Sequence, residues 1–96
     1  MGTMLQALCE LYMQDFDLVF QRETDPIDLF CQQHDARDQK ELLARMRRFH
    51  EGVLSGENSL NDLRAMGLEY IPGDDPNPAA WLPPLIRHLE KKIIAA

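Results

Sequence analysis

Basic residues are scarce in this sequence, cysteine and glycine are few, and long apolar runs are missing. Ten lysines and arginines stand against sixteen aspartates and glutamates, for a formal charge of −6. A surface of that sign repels phosphate backbones, so direct nucleic-acid binding is not expected, whereas a basic protein would be drawn in with a faster encounter. No stretch reaches the roughly 18 consecutive apolar residues that cross a bilayer. The start MGTMLQALCELYMQDFDL lacks the basic region and small-residue cleavage site of a secretory signal, and Gln6 stands where myristoylation needs Ser or Thr. A cytoplasmic protein without a membrane partner is expected.

The two cysteines, Cys9 and Cys31, have no CxxC spacing. They are expected as small buried hydrophobes, not as a disulfide or metal pair. His34, His50 and His88 fall in three separate predicted helices, at a helix end, a core edge and the surface, without the spacing of a zinc site. No Gly-rich phosphate loop exists, and the nearest candidate, PGDDPNP, carries two acids that push phosphate away. Nothing local offers an oxyanion hole or an activating base for either thiol. The expectation is therefore a protein with no catalytic residues, no metal and no cofactor.

What is present is a folded composition: 45% apolar and 27% charged residues over 96 positions, enough for one thin-cored domain spanning 1–96. Met4, Leu5, Leu8, Leu11 and Tyr12 follow helical spacing, which predicts a first helix to about Gln14. The following FDLVFQRE reads either as an extended link or as a short extra turn. Asp25-Pro26 signals a capped helix from Pro26 to about Gln33 that buries Ile27, Phe30 and Cys31. Asp35 or Asp38 caps the longest helix, to about Leu54, with an inner stripe of Leu42, Leu43, Met46, Phe49, His50, Val53 and Leu54. Ser59 caps a short helix that stops at Gly67. A last helix follows Asn77-Pro78 with Trp81, Leu82, Leu85, Ile86, Leu89 and Ile93 inward, and Pro83-Pro84 predicts a kink or a break in it. No segment alternates like a strand, so the fold class is all-α, a single compact bundle of about five short helices.

The acids are unevenly spread. Residues 1–35 hold seven of them against Arg22 alone, and residues 55–78 hold five against Arg64. Asp15 and Asp17 stand out, because they interrupt an apolar run where the first helix is predicted to end, and the helix dipole disfavours acids there. As metal ligands they lack the rest of an EF-hand pattern. Either one of them caps the next segment or both are displayed to a partner, and for Asp17 the two readings stay open. The one basic cluster, Arg45, Arg47 and Arg48, is flanked by Glu41 and Glu51 and reads as a solvated face with weak ion pairs. Trp81 reads as core. Tyr70, beside an irregular acidic loop, is the better candidate for an exposed anchor, since tyrosine is favoured at protein interfaces.

In order along the chain, LYMQDFDL, an Asp-Pro helix, ELLARMRRFHEGVLSGENSLNDLRAMGLEYIPGDD and AAWLPPLIRHLEKKI resemble the CdiI-type immunity proteins of bacterial contact-dependent growth inhibition systems. Tyr12, Asp15, Phe16, Asp17 and Leu18 match the first motif, and Gly67, Leu68, Tyr70, Pro72, Trp81 and Leu82 match the later one. Met13, where an aromatic is common, and Pro83-Pro84 depart from the pattern. The resemblance implies binding without catalysis: an immunity protein that neutralises the toxic C-terminal domain, often a nuclease, of a cognate delivered effector. The acidic balance agrees, because nucleases carry basic grooves. The expected partner surface comprises Asp15, Asp17, Glu23, Asp25, Asp28, Tyr70, Asp74 and Asp75, on a chain expected to be monomeric. Two other classes compete: an acidic adaptor for a host protein, and a small metal-dependent hydrolase using Asp15, Asp17 and a histidine.

Overall fold

Thr3 opens the first helix: its Oγ1 accepts from the Gln6 N–H at 3.1 Å, which satisfies one of the free donors at the start of α1 (Met4–Leu11). In this computed structural model, which describes residues 3–95, five more helices follow: α2 (Phe16–Val19), α3 (Asp25–Gln33), α4 (Ala36–Ser55), α5 (Leu60–Ala65) and α6 (Pro78–Ala95). The described residues contain no strand, so the all-α class holds. The sixth helix is α2, a single turn in the stretch that the sequence left open.

α1 stops three residues before the predicted end. Tyr12 leaves helical geometry with ψ at 70°, and its carbonyl accepts from the Glu69 and Tyr70 N–H groups at 2.8 and 3.0 Å. Its ring is nevertheless buried, which is why the apolar spacing ran past the helix end. The Tyr12 hydroxyl donates to the Glu23 carbonyl at 2.6 Å. One residue thus ties the 20–24 link and the 68–72 segment to the end of α1.

Asp35 caps α4, accepting from the Asp38 N–H at 3.0 Å. Gln39, buried in the first turns, donates to the Cys31 and His34 carbonyls at 3.1 and 2.9 Å and so satisfies acceptors left free at the end of α3. Gly56 closes α4 with φ at 86°, a left-handed conformation that glycine enters without steric penalty. Leu54, predicted inward, is 68% exposed, because α4 outruns the core by its last turn. Ser59 and Asp62 form a reciprocal capping box on α5.

α6 packs antiparallel to α4. Arg47 meets Glu90 at 2.9 Å, while Arg47 and His50 share a groove with Pro83 and Ile86. Of the two outcomes predicted at Pro83-Pro84, a kink or a break, the break does not occur: α6 is continuous. Trp81, Leu82, Leu85, Ile86 and Leu89 are all buried, and that stripe holds the helix together across the missing backbone bonds. One apolar cluster draws on every helix, from Leu8 and Phe16 through Phe30, Met46 and Leu63 to Leu89. The radius of gyration, 12.4 Å, is close to the roughly 12.5 Å of a close-packed chain of this length.

His88, predicted at the surface, is half-buried and clasps α3 to α6. Its Nε2 lies 2.7 Å from Asp28 Oδ1, and the Lys92 ammonium lies 3.1 Å from the same oxygen. Partial burial works against the Asp28 carboxylate, but the hydrogen bonds from His88 and Lys92 outweigh it and hold its pKa below the ordinary 3.8. A carboxyl whose pKa is lowered on folding adds stability above its unfolded-state pKa, and loses that stability as pH falls through the folded-state value. Asp28→Asn is expected to cost about 1 kcal/mol at neutral pH, given the partial exposure of the pair. Its urea midpoint should also fall less steeply than that of the parent below the ordinary carboxyl pKa. Parallel acid limbs for the two proteins would contradict this role.

Candidate functional site

The segment that carries most of the candidate residues is built around Phe16. It is 1% exposed and stacks on Tyr12 at 5.6 Å and on Tyr70 at 4.0 Å, both pairs within 5° of parallel, with Phe20 tilted against it at 5.1 Å. Burying Phe16 at the first position of α2 fixes that single turn, and the Tyr12 carbonyl fixes the backbone that delivers Tyr70. The outcome is a short helix and a half-buried tyrosine side by side, from residues more than fifty apart in sequence.

The Tyr70 phenol lies in a negative field. Desolvation pushes its phenol pKa up, and the charges of Asp17, Glu23 and Asp74 push it further in the same direction. All three acids are exposed. Asp15, also exposed, stands at the start of α2 and makes no capping bond there. Asp17 lies in the first turn of α2, where its charge is favourable to the helix dipole; the unfavourable position expected from the sequence disappears because α1 ends earlier and a new helix begins.

The remaining acids of the expected face serve the chain itself. Asp25 does not cap α3: Thr24 occupies the cap position, and Asp25 Oδ2 turns back to accept from the Gln21 and Arg22 N–H groups, both at 2.9 Å. It closes the turn ahead of its helix because, as the first helical residue, it sits nearest those free donors. Asp28 is held by His88 and Lys92. Asp75 Oδ1 accepts from the Asn77 N–H at 2.9 Å, and Asn77 Oδ1 accepts from the Ala79 N–H at 3.1 Å, so this acid shapes the entry to α6. Asp25, Asp28 and Asp75 thus bond within the chain, whereas Asp15, Asp17, Glu23 and Asp74 are exposed.

Two apolar residues in the same place escaped the sequence reading. Leu18 is 85% and Val19 59% exposed on α2. In a run as apolar as FDLVF their outward orientation was not legible, because only the position of Phe16 in a one-turn helix decides which neighbours face water.

Elsewhere the chemistry is quiet. Burial, and then the neighbouring charge of Glu10, pushes the Cys9 thiol up to about 12, and burial also raises Cys31, so both are protonated and poorly nucleophilic at neutral pH. His34 Nδ1 lies 3.2 Å from Asp38 at the end of α3, and His50 borders the α4–α6 groove. Among the described residues no three His, Cys, Asp or Glu side chains are grouped to hold a metal ion. No helix among them is long and apolar enough to cross a membrane. A groove of about 320 Å³, open to solvent, runs beside Arg45 and Arg48 over Leu5, Phe49 and Met66. Glu41 approaches Arg45 to only 3.9 Å, the weak surface pairing expected from the sequence. Comparison of the chain with protein-family models, with curated proteins and with solved structures found no match, so the reading of this site rests on its own geometry.

Proposed function

We propose that this domain is a binding protein whose partner is a basic protein, and that it acts as an immunity protein, neutralising the toxic C-terminal domain, nuclease in character, of a contact-dependent growth inhibition effector. The observation that supports the reading most directly is that Asp17, Glu23 and Asp74 are all exposed and that their charges reach the half-buried Tyr70, which stacks on Phe16. Exposed carboxylates on a chain of net charge −6 create a field that accelerates encounter with a cationic groove and disfavours anionic partners. A nuclease groove is cationic because it binds phosphates, and a protein that presents carboxylates in their place occupies it by the same electrostatics. Tyr70, stacked on Phe16 and so ordered before contact, loses little freedom on binding. The proposed role needs no chemistry from the domain, and three of the residues that carry the resemblance to the immunity proteins, Tyr12, Phe16 and Tyr70, stack together here.

The test uses the C-terminal domain of any large secreted effector encoded beside this gene. Calorimetric titration should give a stoichiometric complex that weakens as salt is raised. Asp17→Lys, Glu23→Lys and Asp74→Lys together should slow association by about 10–10³-fold, the range by which complementary fields speed it, while leaving thermal unfolding close to that of the parent. An effector domain that ignores the protein, or binds the triple variant equally well, would remove the immunity reading, and the absence of any neighbouring effector would point to the acidic adaptor.

A further inference from the structure

Resting on the basic-partner reading of the Tyr70 patch, we infer that Leu18 and Val19 are the apolar anchor of that same interface, and that the partner meets them with an apolar pocket rimmed by lysines and arginines. Three residues of α2 and the one that follows it supply the argument. Phe16 is buried and Phe20, one turn on, is half-buried against the core, so the intervening Leu18 and Val19 are carried outward by the helix itself. Solvent-facing positions of a one-turn link place no demand for aliphatic side chains. The fold draws nothing from Leu18, at 85% exposure, and little from Val19.

The pair differs from the other exposed aliphatics. Leu54 and Ile94, at 68% and 83%, stand near the C-terminal ends of the antiparallel α4 and α6, hence at opposite ends of that pair, and isolated exposed side chains of this kind are ordinary. Leu18 and Val19 are contiguous in sequence and precede the half-buried Phe20, whose ring is tilted against the same Phe16 that stacks on Tyr70. Exposed carboxylates flank them on the same turn, Asp15 at the start of α2 and Asp17 next to Leu18, and Glu23 follows four residues after Val19, also exposed. An apolar centre inside a charged rim is the arrangement in which a few buried contacts hold a complex while the rim governs approach and salt dependence.

The rim also selects the occupant. A second copy of the chain would bring the same carboxylates face to face, and an anionic lipid surface would be repelled, so the apolar pair is satisfied only by a surface that supplies positive charge around an apolar recess. α2 is stiff enough to act as a wedge, because the Leu18 and Phe20 N–H groups are bonded to the Asp15 and Phe16 carbonyls at 2.9 and 2.8 Å.

A synthetic amphipathic helical peptide of leucine and lysine serves as the probe, followed by amide NMR with the full chain at two salt concentrations, beside a leucine–glutamate peptide. The expected result is binding of the cationic peptide, with shifts confined to residues 15–23 and 68–75. Leu18→Ser combined with Val19→Ser should weaken it at least tenfold, leave its salt dependence intact, and leave the unfolding curve superimposable on that of the parent. Asp17→Asn, Glu23→Gln and Asp74→Asn together should abolish the salt dependence instead. Parental affinity in the serine variant overturns the anchor, and with a salt effect still removed by the neutral variant the basic-partner reading survives. Equal binding of the acidic peptide overturns both. Self-association of the parent chain that is lost in the serine variant would make a second copy the occupant and also overturn the inference.

Discussion

Replacing Phe16 by alanine should destabilise the domain by about 3–5 kcal/mol, the range for removing a fully enclosed phenylalanine, out of a total of about 5–15 kcal/mol for a domain of this kind. The side chain is 1% exposed and touches three other rings, so its removal leaves a hole bordered by Tyr12, Phe20 and Tyr70. The damage extends beyond the hole. A single helical turn cannot persist by itself, because nucleating a helix costs more than one or two backbone bonds return, and α2 has no other buried residue. Without it Tyr70 loses its stacking partner and the carboxylates of Asp15 and Asp17 lose their fixed positions. Urea unfolding monitored by far-ultraviolet circular dichroism measures the stability, and Phe16→Leu, which keeps much of the volume, should fall between parent and alanine variant. A loss below about 0.5 kcal/mol, the level of an ordinary surface substitution, would show that the ring stack does not organise the site.

Pro84→Ala should act in the opposite direction and raise stability by about 1–3 kcal/mol. A proline inside a helix lacks the N–H that would bond four residues back and crowds the carbonyl there, and for Pro84 that carbonyl belongs to Ala80. Both residues are exposed, so the substitution restores a backbone bond without disturbing the apolar stripe of α6. Two effects keep the gain below the full propensity difference: water already serves an exposed carbonyl, and alanine gives the unfolded chain more freedom than proline, at a cost of about 0.4–1 kcal/mol. Pro83 is the less clean test, since it is half-buried in the groove with Arg47 and His50. A thermal midpoint that falls in Pro84→Ala would mean that the proline fixes a helix geometry on which the α4 contact depends.

The behaviour of α6 also illustrates where reading by residue type reaches its end. Proline chemistry predicts a kink or a break near Leu82, and the local cost behind that prediction is sound. The helix continues because Trp81, Leu82, Leu85, Ile86 and Leu89 are packed on α4, and burial on that scale exceeds two missing backbone bonds. The caps Asp35 and Ser59 are legible for the opposite reason: each acts on donors within three residues of itself, inside the reach of a sequence pattern. Asp25 shows the boundary between the two cases. Its type and neighbours announce a helix start correctly, yet its carboxylate goes to the turn before the helix, a choice between nearby donors that spacing does not encode.

For the candidate site the division is sharper. Net acidity, the absence of a phosphate loop and of zinc spacing, the helical class and most helix boundaries follow from composition and from contacts within one or two turns, which any chain carries in its order of residues. Which carboxylates are displayed and which are consumed does not, because Asp28 meets His88 across sixty positions and Phe16, which fixes the turn that carries Asp15 and Asp17, meets Tyr70 across more than fifty. Only the tertiary packing, through the Tyr12 carbonyl and the Phe16 stack, brings those distant segments together, since electrostatic and apolar contacts act over a few ångströms of space and are blind to separation along the chain.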